Sequence, residues 1–173
     1  MSTGSGQIDP GDELVDVVDE SDVIIATVTR REMRKTRLRH RAVFIAVTHP
    51  DGRILVHRRS DTKDLWPGWW DMAVGGVVAA GETYDDAARR ELAEEIGVTG
   101  VVPEPVGGGR YDDDQVHLVG RCYRVTHAGP FSFNDGEVVE TTWMTIEELR
   151  DAIARRPFLP DSVALFADTF RLI

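Results

Sequence analysis

The sequence predicts an α/β fold in which a mixed β-sheet lies between helices. Strand-like segments come first along the chain, a clearly bounded helix lies in the middle, and further strands precede two closing helices. The 173 residues, 42% of them hydrophobic, suit one domain with a substantial core. We expect residues 1–12 to be a disordered tail and residues 13–173 to form a single domain.

The first half of the chain predicts two β-hairpins. The first surrounds Glu20-Ser21-Asp22, and the second turns at Asp51-Gly52. A loop then leads into a short strand. These segments cover, in chain order, a hairpin over residues 13–29, strands over 42–48 and 53–57, a loop over 60–70 and a strand over 72–74.

The central helix is predicted over residues 83–96. Thr83 and Asp86 resemble a capping box in which Asp replaces the usual Glu or Gln, and Gly97 stands at the C-terminal cap. One face carries an apolar stripe that can anchor the helix on a sheet, formed by Ala88, Leu92 and Ile96.

The second half predicts more strands and two helices. Thr145 and Glu148 form a further capping box, and Pro160-Asp161 opens the last helix. The segments are a glycine-rich loop over 101–114, strands over 116–125 and 138–144, a helix over 145–155, and a final helix whose buried stripe is Val163, Phe166 and Phe170.

Charge and composition restrict the classes of function. The net charge of −10 argues against non-specific nucleic-acid binding, although carboxylates holding Mg²⁺ can still receive an anionic ligand. The basic run at residues 30–41 is either a solvated face or a rim that faces substrate or a second subunit. No apolar run approaches the ~20 residues that span a membrane.

The cellular compartment is expected to be the cytoplasm. The first residues lack the pattern of a signal peptide. Cys122 is the one cysteine, lies in an apolar run, and is expected to be a buried structural thiol in a reducing compartment.

Acidic residues crowd one face of the central helix. Glu91, Glu94 and Glu95 are three or four residues apart, and like charges so placed repel one another. A hard divalent cation, which prefers carboxylate oxygens, explains this arrangement. Gly75-Gly76 would let backbone approach such an ion, with a plain turn as the alternative.

Two further residues are expected to orient the acids. Arg90 can pair with Glu82 or with Glu94. The alternative is an ordinary surface ion pair, worth ~0–1 kcal/mol.

The stretch from Gly76 to Val98 resembles the Nudix box, G-x5-E-x7-R-E-U-x-E-E-x-G-U, where U is aliphatic. The chain is similar to this family over about residues 35 to 171, which implies an α/β/α sandwich with a mixed sheet and here an N-terminal hairpin. Every fixed position is met, by Gly76, Glu82, Arg90, Glu91, Leu92, Glu94, Glu95, Gly97 and Val98.

The resemblance implies a hydrolase in which metal-activated water cleaves a diphosphate linkage in a nucleoside diphosphate derivative or similar small molecule, with Mg²⁺ or Mn²⁺. Glu91 and Glu95 would bind metal, as would the carbonyl of Gly75. Glu94 would support them, and Arg90 and Glu82 would orient them.

The general base in this family often lies outside the box, on a loop near the metals. Glu137 is the first candidate, Glu140 the second, and Asp112-Asp113-Asp114 the third. Solvated loop acids are the alternative reading for each.

The flanking segments resemble those of isopentenyl-diphosphate isomerase. This likeness makes Arg58 and Arg59 candidates for binding substrate phosphate and His40 a candidate metal ligand, with surface charge and a structural histidine as the alternatives. The cysteine that protonates the isomerase substrate is replaced by Val74. Isomerase activity is therefore disfavoured.

The identity of the substrate and the oligomeric state stay open. Non-catalytic nucleotide sensing is a second alternative to hydrolysis. For the oligomeric state, a homodimer through the N-terminal hairpin is possible. Trp66, Trp69 and Trp70 either stack a base or flank the pocket mouth, and at least two are expected to pack between loop and sheet.

Overall fold

The computed structural model describes residues 9–173. The predicted tail therefore falls mostly outside the described residues, but Pro10–Asp12 form a 3-10 turn. The strands are β1 (Leu14–Val18), β2 (Ile24–Thr29), β3 (His40–Thr48), β4 (Ile54–Arg59), β5 (Trp70–Asp71), β6 (Val74–Val77), β7 (Glu104–Asp112), β8 (His117–Thr126) and β9 (Val138–Met144). The helices are α1 (Arg30–Thr36), α2 (Tyr84–Ile96), α3 (Ile146–Arg155) and α4 (Pro160–Phe170).

Strand β3 is the centre of the sheet. It runs parallel to β8 and antiparallel to β1, β4 and β6, so the sheet is mixed as predicted. Alternate side chains of β3 enter opposite cores. Val43, Ile45 and Val47 pack in the cluster shared with α2, and Ala42, Phe44 and Ala46 pack in the cluster shared with α3 and α4. This is the predicted α/β/α sandwich.

Helix α2 has the predicted ends and the predicted buried stripe. The Thr83 side chain accepts a hydrogen bond from the Asp86 amide, and Gly97 ends the helix in the left-handed conformation, with φ of 69°. Ala88, Leu92 and Ile96 are fully buried. Burying one side chain the size of leucine contributes about 1.5–3 kcal/mol, so this stripe fixes the adjacent acidic face of the helix in space.

The glycine-rich segment predicted as a loop is instead strand β7, which pairs with β8. Glycine disfavours strands on average, but here it permits close approach. A Cβ atom on Gly108 would lie 2.3 Å from the carbonyl oxygen of Gly120. The prediction failed because tertiary pairing overrode local propensity.

Two other element boundaries differ from prediction. The strand expected at residues 72–74 is β6, Val74–Val77. The basic run contains helix α1, capped by the Thr29 side chain, which we did not predict.

Three arginines of the basic run form ion pairs with acids of other segments. Arg30 pairs with Glu13, Arg39 with Asp112 and Arg41 with Asp22, at 3.1, 2.8 and 2.6 Å.

Two smaller sequence predictions also concern the described residues. Cys122 is fully buried, as expected. Between residues 9 and 173, none of the helices is both long enough and apolar enough to cross a membrane.

Candidate active site

The backbone of β6 forms one wall of the site. Gly75 and Gly76 pair with Phe44 and Val43 of β3, so they belong to the sheet and are not a plain turn. Gly75 has φ of 155°, and a Cβ atom there would lie 1.9 Å from the carbonyl oxygen of Val43. A Cβ atom on Gly76 would lie 2.5 Å from Oε1 of Glu91. Both positions require glycine because backbone and a carboxylate occupy the space of a side chain.

Arg90 connects the acids of the site. Its Nε and Nη2 donate to the two carboxylate oxygens of Glu82 at 2.8 and 3.0 Å, and Nη2 also donates to the carbonyl of Val77 at 3.2 Å. Its Nη1 donates to Glu91 at 2.8 Å and to Glu94 at 3.2 Å. Such a two-pronged contact fixes orientation as well as distance. The predicted orienting pair is thus part of a network.

Glu82 is also tied to the backbone. Its Oε2 accepts a hydrogen bond from the amide of Ala79 at 3.0 Å. Hydrogen bonds from Arg90 and Ala79 outweigh burial and hold the pKa of Glu82 below its ordinary value. Glu82 is therefore a charged anchor for Arg90 at neutral pH.

Glu91 and Glu95 are the two acids that face Gly75-Gly76. Glu91 is buried, with burial raising its pKa while Arg90 opposes the rise. Glu95 is half-buried, and its Oε2 accepts only a long contact of 3.4 Å from the Gly75 amide. Burial, followed by the charge of Glu91, raises the pKa of Glu95 to about 8. Among residues 9–173, Glu95 thus has no ion-pair partner, which a bound cation would provide.

The donor set suits a hard divalent cation. Two carboxylates and an adjacent strand carbonyl are the oxygen ligands that Mg²⁺ and Mn²⁺ prefer. Across residues 9–173, three or more acidic, histidine or cysteine side chains are nowhere gathered into a closed cation cage. Glu94 is 61% exposed and directed to Arg90, consistent with a supporting role.

A small cavity adjoins Glu95 where β4 ends and β9 begins. Its volume is about 20 Å³, the space of roughly one water molecule. Strand β4, the loop after it and the segment before β9 supply its walls. The lining residues are His57, Arg59, Lys63, Glu95, Asp135, Glu137 and Val138.

Glu137, the first candidate for the general base, lies in this cavity and is ion-paired with Lys63. Its carbonyl accepts a hydrogen bond from the Ser60 amide at 2.8 Å, which joins the two loops. Lys63 was missed from the sequence, because a lysine in an irregular loop carries no periodic signal. His57 was missed as well; burial lowers its pKa to about 4, so it is neutral.

The remaining acidic candidates lie in other surroundings. Glu140 of β9 lies 3.6 Å from Nε of Arg58. Asp112 pairs with Arg39 and His117, and Asp113 accepts hydrogen bonds from the Tyr111 hydroxyl and two turn amides. These contacts bind the latter two acids to the β7–β8 turn.

The two candidate phosphate-binding arginines lie in different surroundings. Arg59 lines the cavity, with Nη2 donating to the carbonyl of Leu65 at 3.1 Å and a buried Nε that has no partner. Arg58 instead lies 3.6 Å from both Asp61 and Glu140. Arg59 is therefore the better placed of the two.

Four other residues discussed from the sequence have packing contacts. His40 is buried, its Nδ1 lies 3.0 Å from the carbonyl oxygen of Leu38, and burial lowers its pKa to about 4. Val74 is a core residue. Trp70 is buried beneath the Arg156 guanidinium, and Trp66 packs against the same core, as expected for at least two of the tryptophans.

Comparison with known proteins identifies the family. A family model described as the NUDIX domain matches residues 38–162. The chain belongs to the Nudix family. The Nudix hydrolase YfcD of Salmonella typhi is 41% identical over 155 residues, which cover 90% of this chain and 83% of that protein. The family predicted from the box at residues 76–98 is confirmed.

Solved structures confirm the Nudix fold. DR0079 from Deinococcus radiodurans superimposes with a TM-score of 0.76 at 28% identity, covering 92% of this chain and 98% of that one. The NUDIX domain of Shewanella oneidensis NrtR, solved with ADP ribose, has a TM-score of 0.58 at 19% identity, covering 77% and 88%. The second likeness concerns the fold alone.

Proposed function

We propose that this Nudix protein is a hydrolase that cleaves the diphosphate linkage of a small molecule, with Mg²⁺ or Mn²⁺ as cofactor. The observation that supports this most directly is the pair Glu91–Glu95 against the glycine backbone of β6, where Glu95 forms no ion pair with the described part of the chain. A binding site for an uncharged or anionic ligand alone gives no reason to crowd two acids there.

Each residue then has a defined task. Glu91 and Glu95, with the carbonyl of Gly75, would hold the cation, and Arg90 and Glu82 keep Glu91 in orientation. A bound divalent cation supplies charge to polarise phosphoryl oxygens and to acidify water. Glu137 would accept the proton of the attacking water, and Arg59 would contact the substrate phosphate.

A nucleoside diphosphate derivative is the substrate class that we favour. The cavity next to Glu95 offers the cations Arg59 and Lys63, which suit a chain of two phosphates better than a neutral ligand. ADP ribose, found in the Shewanella oneidensis NrtR structure, belongs to this class and is a first compound to test. Acidic residues near the site argue against a nucleic-acid polymer as partner.

The chemistry of the site distinguishes a hydrolase from two alternative functions. A nucleotide sensor would bind without turnover, and it has no need for the complete set Glu91, Glu94 and Glu95. An isomerase of isopentenyl diphosphate needs a proton donor where this chain has the buried Val74. Valine has no titratable group, so this activity is disfavoured.

The test is release of phosphate from nucleoside diphosphate derivatives with a coupled phosphatase, in Mg²⁺, in Mn²⁺ and in chelator. The panel includes ADP ribose, nucleotide sugars, dinucleoside polyphosphates and nucleoside triphosphates. Turnover that requires metal supports the proposal and identifies the substrate class. Metal-independent binding of a nucleotide without turnover would favour the sensor instead.

We further propose that two copies of the chain associate through β2. Leu14, Val23, Ile24 and Ile25 are 48–63% exposed, and β2 ends the sheet with an unpaired outer side among the described strands. Ile24–Thr29 has no charged residue, so antiparallel self-pairing meets no like-charge repulsion.

Sedimentation velocity at micromolar concentration is expected to show a dimer for the wild-type chain. Ile25→Lys should give a monomer, because a lysine in the paired edge would be desolvated or repelled by its symmetry mate. Val139→Lys, at a 50% exposed site on β9, is the matched control and should leave the dimer intact. A monomeric wild-type profile would contradict the proposal.

A cytoplasmic location is also proposed. It is supported by the single cysteine, which is buried and unpaired.

A further inference from the structure

We propose that Lys63 binds the substrate phosphate and that, without cation and substrate, it pairs with Glu137 instead. The two side chains exchange partners when cation and substrate bind. Without cofactor the Lys63 ammonium and the Glu137 carboxylate neutralise each other. With cofactor and substrate present, Glu137 turns toward the cation, and Lys63 turns toward the phosphate. This inference rests on the proposed hydrolase function.

The position of the pair supports this exchange. Lys63 lies in the loop after β4 and Glu137 lies directly before β9, and both line the cavity that adjoins Glu95. Both charges are near enough to act on Glu95, the Lys63 ammonium opposing the rise in its pKa and the Glu137 carboxylate adding to it. The pair therefore lies between the proposed cation ligands and solvent.

The closed pair restricts the cavity. Its volume of about 20 Å³ accommodates roughly one water molecule, so separating the two side chains would widen the space in which a phosphate group can lie. The pair is also easy to break, since the side chains are 24% and 44% exposed and ion pairs so exposed contribute little.

The backbone around the pair is held, so the side chains can move without the loops. The Ser60 amide donates to the carbonyl of Glu137 at 2.8 Å, and Arg59 pairs in register with Val138. Ser60 also receives the Gly68 amide on its carbonyl at 3.2 Å, which closes the Lys63 loop at its base. Rotation of the two long side chains is then sufficient to exchange their partners.

The charges of the cation and of the diphosphate favour the new partner of each side chain. A divalent cation beside Glu91 and Glu95 attracts a further carboxylate. Glu137 and Asp135 both line the cavity next to Glu95, but the Asp135 carboxylate already accepts a hydrogen bond from the Glu137 amide at 3.0 Å. A diphosphate brings several negative charges, for which a freed ammonium is a suitable partner. Arg59 has a buried Nε without a partner in the same wall and adds a second cation.

The first measurement is binding of Mn²⁺ alone, followed by electron paramagnetic resonance. Lys63→Met should bind Mn²⁺ several-fold more tightly than wild type, because Glu137 loses its competing partner. In a Glu137→Gln background the Lys63→Met change should have little effect, which separates exchange from the general loss of a positive charge. Arg58→Met is a matched control outside the cavity and should leave Mn²⁺ binding unchanged.

The second measurement is binding of inorganic diphosphate at saturating Mn²⁺, by calorimetry. Lys63→Met should weaken it about tenfold, the effect of one charge-assisted hydrogen bond, and Lys63→Arg should restore most of it. Thermal melts establish that each variant is folded. Lys63→Gln is a second neutral substitution for both binding measurements.

The outcomes separate this inference from the function on which it rests. Unchanged Mn²⁺ affinity in both Lys63→Met and Lys63→Gln overturns the exchange, whatever the enzyme turns over. An equal gain in the Glu137→Gln background overturns it as well. A wild-type chain that hydrolyses nothing in the substrate panel, but shows the expected Mn²⁺ pattern, would instead refute the hydrolase.

Discussion

Glu95→Gln is expected to abolish metal-dependent hydrolysis, with a loss of at least about a thousandfold, roughly 4 kcal/mol of transition-state stabilisation. The substitution keeps the shape of the side chain and removes the charge that the proposed cation needs. Because Glu95 faces Gly75 and forms no ion pair with any of residues 9–173, the effect is expected on cation binding first.

The same substitution is expected to raise the melting temperature of the metal-free protein. The folded-state pKa of Glu95 is about 8, above its unfolded value, so ionisation of this group opposes folding. Its favourable contribution is present below the unfolded pKa and is lost as the pH rises through about 8. The difference between variant and wild type should therefore be largest at alkaline pH and vanish in acid.

Differential scanning fluorimetry with and without Mn²⁺ tests both expectations. Wild type should gain stability on adding Mn²⁺, and the variant should gain little. Glu104→Gln, which removes an exposed acid paired with Arg124, is the control and should behave as wild type. A Glu95→Gln protein that still turns over substrate at the wild-type rate would remove Glu95 from the site.

Arg90→Met is expected to impair both stability and activity. It removes every hydrogen bond that Arg90 donates to Glu82, Glu91, Glu94 and the Val77 carbonyl, and leaves Glu82 and Glu91 without their cation. Since the Arg90 side chain is 30% exposed, solvent screens part of this loss. We expect about 1–3 kcal/mol of destabilisation, or a fall of some 2–10 °C in Tm.

Activity of Arg90→Met should fall by about 10–100-fold, the usual effect of losing a group that orients metal ligands. Arg90→Lys should recover little of it, because an ammonium cannot hold both oxygens of Glu82 in a fork. The control is Arg89→Met, since the neighbouring Arg89 contacts only the exposed Asp86 at 3.3 Å. Equal losses in the Arg89 and Arg90 variants would contradict the assigned role.

The parts of this molecule that the sequence predicted well are those with local or periodic signals. The ends of α2 follow from Thr83 and Gly97, and its orientation follows from the spacing of Leu92 and Ile96. The acids on the adjacent face are therefore positioned by helical geometry, which is why the core of the site was predictable.

The parts that were missed depend on contacts distant in the chain. Lys63 and Glu137 are far apart in sequence and meet because β4 and β9 pair, which no local pattern of charges reveals. Strand β7 was missed because its glycines reflect close approach to Gly120, a constraint visible only after β8 is in place. Helix α1 is short and strongly basic, and it lacks an apolar stripe that would have indicated it.

The central position of β3 divides the site into two halves with different dynamics. Gly76 pairs with Val43 of a strand that is buried between two cores, so its amide proton should exchange with solvent mainly when the whole domain unfolds, whereas the Gly75 amide points to Glu95. Lys63 and Glu137 lie in surface loops, where local opening is enough for amide protons to exchange with solvent. The half that would hold the cation is therefore a rigid template, while the half that would select and receive the substrate can fluctuate and evolve without endangering the fold.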